Sequence, residues 1–370
     1  MRAAAILSVV GAHALKVFYP HCLQIGLLGH GGFYGVELFF VLSGFLIGQI
    51  MIRLGPGLGE ASTLGVFYVR RWFRTLPLFW LFVAVNVWLE WRFNHRSLEP
   101  GEIFEHAFFL RTFAANHISF IPESFSLAIE EWFYLLFPAA LWFALWCRAR
   151  FAPALLGTAA VFYLFSTVGR VVSAVHLEGP WTDWQRVLVI YRFDALMTGI
   201  VAAWLAHRFP AAWRRHARVL AIVGALLALA MYASLWRPAR VWVAPAPDDF
   251  FARTFRFNLV SLGFALLLPA MSGWTLRAET FVTTTVRKIA LWSYGLYLVH
   301  QPVIRLCDRY FFPEWKTSAL QAAAAFATQL GAAIFISAIL YHFYEAPFTR
   351  LREKAAPLVA HFFRPHAAKL

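Results

Sequence analysis

Charged residues are scarce in this chain of 370 residues, in which Asp, Glu, Lys and Arg make up 14% and hydrophobic residues 61%. Because a soluble protein carries roughly a quarter charged residues, this composition excludes an ordinary water-soluble enzyme. Cysteine is scarcer still, and three widely spaced residues, an odd number, exclude a disulfide scaffold. The remaining classes are those of proteins that are not water-soluble.

Acidic residues are few as well, so the chain has a net charge of +14. The basic residues form neither long runs nor a patterned patch, which argues against a nucleic-acid partner. They separate apolar stretches of roughly twenty residues, the length that spans the hydrocarbon core of a bilayer. This pattern predicts an integral membrane protein.

Ten apolar stretches predict an all-α, polytopic membrane bundle of about ten transmembrane helices, because a backbone in lipid must satisfy its own hydrogen bonds. The predicted spans lie near residues 2–18, 33–52, 75–91, 126–147, 153–177, 186–206, 217–236, 253–273, 286–304 and 318–345. They form one integral membrane domain, 1–350, followed by a short basic cytoplasmic tail, 351–370. The first stretch lacks an A-x-A-like cleavage site and is therefore expected to be a retained helix.

Lysine and arginine are distributed unevenly between alternate loops, and the first outer loop, residues 19–32, has neither. Since cytoplasmic loops are enriched in these residues, we expect both termini to be cytoplasmic.

Ionisable side chains inside the apolar stretches are costly and indicate function. Arg2 and His13 are eleven residues apart, which places them on nearly the same helix face, roughly 16 Å apart along its axis. Two interpretations of His13 are open: a buried histidine satisfied by a neighbouring helix, or a general base. Glu37 lies among small residues that favour close helix packing, and it requires a partner or a water-filled cavity.

Further candidates lie on later spans. Arg71 and Arg74 share a helix face, either as a topology signal or as a guanidinium fork for phosphates. Ser126 precedes two adjacent carboxylates, Glu130 and Glu131, which point about 100° apart on a helix, so that one faces the bundle and the other water. His300 adds a second intramembrane histidine.

These motifs resemble, in their order, those of the acyltransferase 3 family. They are a basic residue and a histidine separated by ten residues (Arg2, His13), Gly-Val-Glu-Leu-Phe-Phe-Val-Leu-Ser-Gly-Phe, Arg71-x-x-Arg74, Ser-Leu-x-x-Glu-x-x-Phe-Tyr and Tyr-Leu-x-His. The resemblance extends from residue 2 to about 350. Family members usually carry several residues before the basic one, so a clipped N-terminus is expected here. Many also have a C-terminal hydrolase-like domain, for which this length leaves no room.

The resemblance implies a ten-helix core that transfers an acyl group, commonly acetyl from acetyl-CoA, to a hydroxyl of a glycan or a related acceptor. Acyl-CoA is then a co-substrate, with no bound cofactor and no metal, and the enzyme lies in the bilayer of the bacterial cytoplasmic (inner) membrane. His13 acts as general base or carries the acyl group itself, and Glu130 orients the histidine or the acceptor. The other implied positions bind substrate, with the arginines on the donor's phosphates: Arg2, Arg71, Arg74, Glu37, Ser126 and His300.

A proton-coupled secondary transporter is the alternative function. His13, Glu37, Arg192 and Asp194 would then form a proton and substrate pathway. The sequence has neither visible symmetry between its halves nor a matched pair of broken helices, which disfavours this alternative.

Overall fold

The computed structural model describes residues 1–22, 31–114, 120–176, 185–234, 250–274, 279–314 and 317–362, and these residues form helices and turns without a strand. The all-α class is therefore confirmed. The α-helices are α1 Arg2–Ala14, α2 Gly31–Leu54, α3 Ala61–Asn94, α4 Pro100–Ala107, α5 Arg111–Ala114, α6 Ser124–Trp146, α7 Phe151–His176, α8 Phe193–Arg208, α9 Pro210–Arg215, α10 Ala217–Ala233, α11 Phe250–Arg253, α12 Phe255–Ser272, α13 Phe281–Leu291, α14 Ser293–Leu306, α15 Ala319–Leu340 and α16 Ala346–Phe362. Within the predicted tail, α16 continues to Phe362, and residues 363–370 lie outside the described part.

Six helical segments among the described residues are long and apolar enough to cross a membrane. They are Gly31–Gly59, Ala61–Asn94, Ser124–Trp146, Phe151–His176, Phe255–Ser272 and Ala319–Val359. Each coincides with one predicted span, so the membrane character of these six stretches is supported by length and composition.

The predicted count of about ten spans is not confirmed, because the four remaining stretches form shorter helices. The stretch 2–18 contains α1 and a 3₁₀ turn, and 186–206 becomes α-helical only at Phe193. The stretch 217–236 contains α10, of 17 residues, and 286–304 is interrupted at Trp292 between α13 and α14. The periodicity of the sequence gave no sign of these interruptions.

The chain divides into two compact units. Unit 1 comprises Met1–Phe39, Arg74–Glu99 and Thr275–Arg350. Within it, α14 packs against α1 and α15. This packing brings the beginning of the chain beside segments from its last quarter.

Unit 2 comprises Phe40–Phe73, Pro100–Trp274 and Leu351–Leu370. In this unit α2 crosses α8 at two glycines in close approach. A Cβ atom on Gly44 would lie 1.9 Å from the carbonyl oxygen of Leu196, and one on Gly199 would lie 2.2 Å from that of Val41. Only glycine permits the two backbones to meet this closely, as small residues do between membrane helices.

Candidate active site

The two predicted histidines of unit 1, His13 and His300, are in direct contact. Nδ1 of His13, near the end of α1, lies 3.2 Å from Nε2 of His300 in α14, and the ring centroids are 5.1 Å apart. His300 is completely buried, whereas His13 is partly exposed. The pair therefore has one sheltered ring and one ring that a substrate can reach.

The hydrogen bonds of His300 determine the tautomers of both rings. Nδ1 of His300 lies 2.6 Å from the carbonyl oxygen of Tyr297, which can only accept, so this nitrogen carries a proton. A fully buried imidazole is most stable in its neutral form, because burying an unpaired charge is costly. Nε2 of His300 then accepts a hydrogen bond from Nδ1–H of His13, and the basic lone pair of His13 resides on Nε2.

A second cluster in unit 1 joins Arg2 and Arg74. The buried carboxylate of Glu345 interacts electrostatically with Arg74 and, to a smaller extent, with Arg2. Glu345 lies in the π-helical turn Tyr341–Glu345 that follows α15. Two guanidinium groups thus lie within electrostatic range of one carboxyl group.

Glu130 of unit 2 accepts two hydrogen bonds from side chains. Oγ of Ser43 donates to Oε1 at 2.6 Å, and the hydroxyl of Tyr134 donates to Oε2 at 3.1 Å. The Arg71 guanidinium lies 3.6 Å from the centroid of the buried Tyr134 ring. Both carboxylate oxygens are therefore held in place, and Arg71 is linked to Glu130 through Tyr134.

The two predicted phosphate-binding arginines lie on one helix, α3, but contact different partners. Arg71 belongs to unit 2 and stacks on Tyr134, and Arg74 belongs to unit 1 and interacts with Glu345. Their spacing of three residues is thus retained within a continuous helix.

The remaining predicted residues are buried. Glu37 is completely buried in α2, in the part of this helix that belongs to unit 1. In unit 2, Ser126 is buried in the first turn of α6 and donates a hydrogen bond to the carbonyl oxygen of Glu123 at 3.2 Å. Of the adjacent pair Glu130 and Glu131, one carboxylate is expected to face the bundle and the other to face water. Glu131 is buried, and Glu130 is partly exposed. Across the described ranges, no three His, Cys, Asp or Glu side chains are grouped to hold a metal ion.

Sequence reasoning missed three residues of these clusters: Ser43, Tyr134 and Glu345. Ser43 is well explained as a small residue for helix packing, and its contact with Glu130 spans 87 residues of sequence. Glu345 lies in an aromatic segment typical of a membrane interface. The sequence could have pointed to Glu345 because it is a carboxylate within a long apolar stretch, and such a residue indicates function by default.

Arg192 and Asp194, which the transporter alternative would use, belong to a separate buried network in unit 2. Asp194 Oδ2 accepts hydrogen bonds from Nη2 of Arg170 at 2.9 Å and from Nδ2 of Asn258 at 3.2 Å, and Nε of Arg192 lies 3.9 Å from Oδ1. Because Asp194 is already occupied by partners from α7 and α12, these contacts indicate a structural role.

Comparison with known proteins identifies a family to which this chain is similar. A family profile described as an acyltransferase domain matches residues 1–342. The chain is 27% identical to peptidoglycan O-acetyltransferase OatA of Listeria monocytogenes over 92% of its own length and 55% of that protein. It is 31% identical to YrhL of Bacillus subtilis, provisionally named a peptidoglycan O-acetyltransferase, over 50% of its own length and 29% of that protein. The chain thus spans about half, or less, of the length of these relatives, and no solved structure gives a significant match.

Proposed function

The chain belongs to this acyltransferase family, and from that premise we propose that it transfers an acetyl group from acetyl-CoA to a hydroxyl of a glycan of the peptidoglycan type. The glycan acceptor is supported by the similarity to relatives that are named as peptidoglycan O-acetyltransferases. The observation that carries the chemistry is the His13–His300 hydrogen bond, because it leaves Nε2 of His13 as a base.

The proposed reaction requires a base and little other activation, since a thioester carbonyl is already reactive. Nε2 of His13 removes the proton from the acceptor hydroxyl as its oxygen attacks the carbonyl carbon. The carbon–sulfur bond then breaks, and the proton held on Nε2 neutralises the departing CoA thiolate. In the alternative route, the same Nε2 atom first accepts the acetyl group, so both routes depend on one nitrogen.

The donor's phosphates are assigned to the arginines at the cytoplasmic side. Arg2 and Arg74 both interact electrostatically with Glu345, so two guanidinium groups lie in one region of unit 1, and guanidinium groups suit the oxygens of a phosphate. Arg71 is braced against the Tyr134 ring, which restricts its guanidinium before the donor binds and lowers the entropy cost of binding.

Glu130 is assigned to the acceptor. With Ser43 and Tyr134 donating to its two oxygens, the carboxylate is fixed in orientation and is suited to accept a hydrogen bond from a sugar hydroxyl. Glu37 and Ser126 support binding from buried positions, whereas His300 acts on His13 by setting its tautomer.

In the membrane, the chain crosses ten times with both termini in the cytoplasm. The four remaining segments cross as short or interrupted helices, and local thinning of the bilayer accommodates the shorter ones. Arg2, Arg71 and Arg74 then lie at the cytoplasmic face, where acetyl-CoA is made, and the membrane is the bacterial inner membrane. This arrangement separates the donor entry from an acceptor outside the cell.

The function is tested with purified protein in proteoliposomes, supplied with acetyl-labelled acetyl-CoA and soluble peptidoglycan fragments. We expect label on the glycan, and His13→Ala should lower the rate by about 10²–10⁴-fold. His207→Ala, at an exposed histidine in the last turn of α8, provides a control for handling and insertion. Failure of the wild-type protein to consume acetyl-CoA, together with proton uptake, would favour the transporter instead.

A further inference from the structure

Unit 2 contains a large apolar cavity that the proposed reaction does not use. Its volume is about 830 Å³, and its walls come from α7, α8, α10 and α12. Most lining side chains are hydrocarbon, including Leu156, Leu164, Val201, Leu205, Leu262 and Leu266. Because α7 and α12 are candidate membrane spans, the cavity lies at the depth of the lipid chains.

The length of the cavity suits a hydrocarbon chain. On α12 the lining extends from Asn258 to Pro269, a rise of about 16 Å along the helix axis. This is close to half the thickness of a hydrocarbon core of about 30 Å. At one end, Nδ2 of Asn258 donates to the hydroxyl of Tyr163 at 2.8 Å, so these lining polar groups are bonded to each other.

Three exposed arginines are close in sequence to the residues that line the other end of the cavity. Trp213 and His216 line it, and Arg214, Arg215 and Arg218 are their neighbours in sequence, all exposed. Within the part of the chain that the structure describes, these three arginines take part in no ion pair. Trp213 is held in place, because its Nε1 donates to Oγ of Ser272 at 3.0 Å and its ring stacks on Phe45 with centroids 6.1 Å apart.

A topology signal accounts for the arginines alone, since it requires only positive charge in a cytoplasmic loop. It does not require an apolar cavity directly beside that charge, or a fixed tryptophan at the boundary. Together, the hydrocarbon lining and the adjoining cations match a molecule with a long chain and an anionic head group, and basic pockets between membrane helices bind such lipids.

We propose that this cavity binds one anionic phospholipid of the bilayer, with a hydrocarbon chain inserted between α7, α8 and α12 and the phosphate held by Arg214 and Arg215. The inference is independent of the acyltransferase reaction. It predicts a preference for phosphatidylglycerol over phosphatidylcholine with identical chains, because only the first carries net negative charge.

Native mass spectrometry of the purified, delipidated protein measures this preference directly. Titration with phosphatidylglycerol should give one retained lipid, and phosphatidylcholine should bind more weakly. Arg214→Gln combined with Arg215→Gln should weaken phosphatidylglycerol binding by about 30-fold, as expected for the loss of two cations near a membrane surface. The matched control is Arg287→Gln with Lys288→Gln, which removes an adjacent exposed basic pair from unit 1.

A second variant tests the cavity separately from the charge. Ala160 lines the cavity with an exposed side chain, so Ala160→Phe fills it without overpacking a core. Val161→Phe adds a ring to the same helix outside the lining and serves as its control. Loss of the retained lipid in Ala160→Phe but not in Val161→Phe supports the proposal.

The proposal is overturned by equal affinity for the two lipids, by unchanged binding in Ala160→Phe, or by equal loss in the double arginine variant and its control. The last experiment is competition of soluble glycerol phosphate with the bound lipid. If it competes with the lipid at equal concentration, the head group alone is recognised and the cavity has no part in binding.

Discussion

Nε2 of His300 lies 3.2 Å from Nδ1 of His13, and the proton between these two atoms determines which nitrogen of His13 is basic. Nδ1 of His300 donates to the carbonyl oxygen of Tyr297. Each ring therefore donates through its Nδ1–H, His13 to His300 and His300 to Tyr297. In the proposed mechanism, His300 thus contributes to base chemistry without touching the substrate.

Replacing His300 tests this relationship. His300→Leu removes the acceptor for Nδ1–H of His13, and we expect kcat to fall by about 10–100-fold, the scale of losing a group that orients a reactive histidine. His300→Gln offers an amide oxygen to His13 and should recover part of the rate. The measurement is kcat with its pH profile, alongside the donor KM, which should stay near the wild-type value. A Leu variant as fast as wild type would remove His300 from the mechanism.

The hydrogen bonds to Glu130 give a second prediction. Ser43→Ala and Tyr134→Phe each remove one donor, and since bonds to a charged group contribute about 1.5–3 kcal/mol, the acceptor KM should rise by about tenfold or more. Ser43→Thr retains the hydroxyl and should bind the acceptor better than Ser43→Ala.

A double-mutant cycle checks that Ser43 acts through Glu130. In a Glu130→Gln background, Ser43→Ala should have a much smaller effect on the acceptor KM, because the two residues are coupled. Fully additive effects would show that Ser43 contributes only to helix packing.

Lysine replacements at Arg71 and Arg74 separate donor binding from membrane topology. Lysine keeps the charge but lacks the planar, paired donors of arginine. Each of Arg71→Lys and Arg74→Lys should insert correctly and weaken acetyl-CoA binding by about 1–3 kcal/mol, the scale of a charge-assisted hydrogen bond. Donor affinity of the detergent-solubilised protein is the measurement. Wild-type affinity in the double variant would leave these arginines as topology signals.

The crossing of α2 and α8 predicts strong effects of one methyl group. A Cβ atom at Gly44 or Gly199 would clash with a backbone carbonyl oxygen. Gly44→Ala and Gly199→Ala should therefore each lower the free energy of unfolding by about 1–3 kcal/mol or more, as overpacking does. Gly157→Ala is the control, because nothing lies within 4 Å of a Cβ atom there. Thermal unfolding in detergent compares the three, and equal melting temperatures would contradict the close crossing.

Reporter fusions test the orientation. Fusions after residues 150, 212 and 360 should report cytoplasm, and those near 25 and 180 should report the outer compartment, since basic residues concentrate in alternate loops. The two outer positions lie beyond the described residues. An outer location for residue 360 would mean an odd number of crossings.

The sequence predicted the helical class and the six long spans because apolar length is a local property. It did not predict that Trp292 interrupts a span, since no proline or glycine marks the break. For the candidate site, too, the sequence indicated local features but not the contacts between distant residues. Ionisable residues in apolar stretches drew attention to His13 and His300, but their contact joins positions 287 residues apart, and tertiary packing alone determines such pairs.

The separation between His13 and His300 has a consequence for biogenesis. At synthesis rates of about 5–20 residues per second, the ribosome needs roughly 15–60 s after making His13 to reach His300. During that interval α1 exists without the helix that contacts its histidine. In the proposed mechanism, the basic nitrogen of His13 is therefore set only after His300 has been made, and a chain that ends earlier lacks an oriented base.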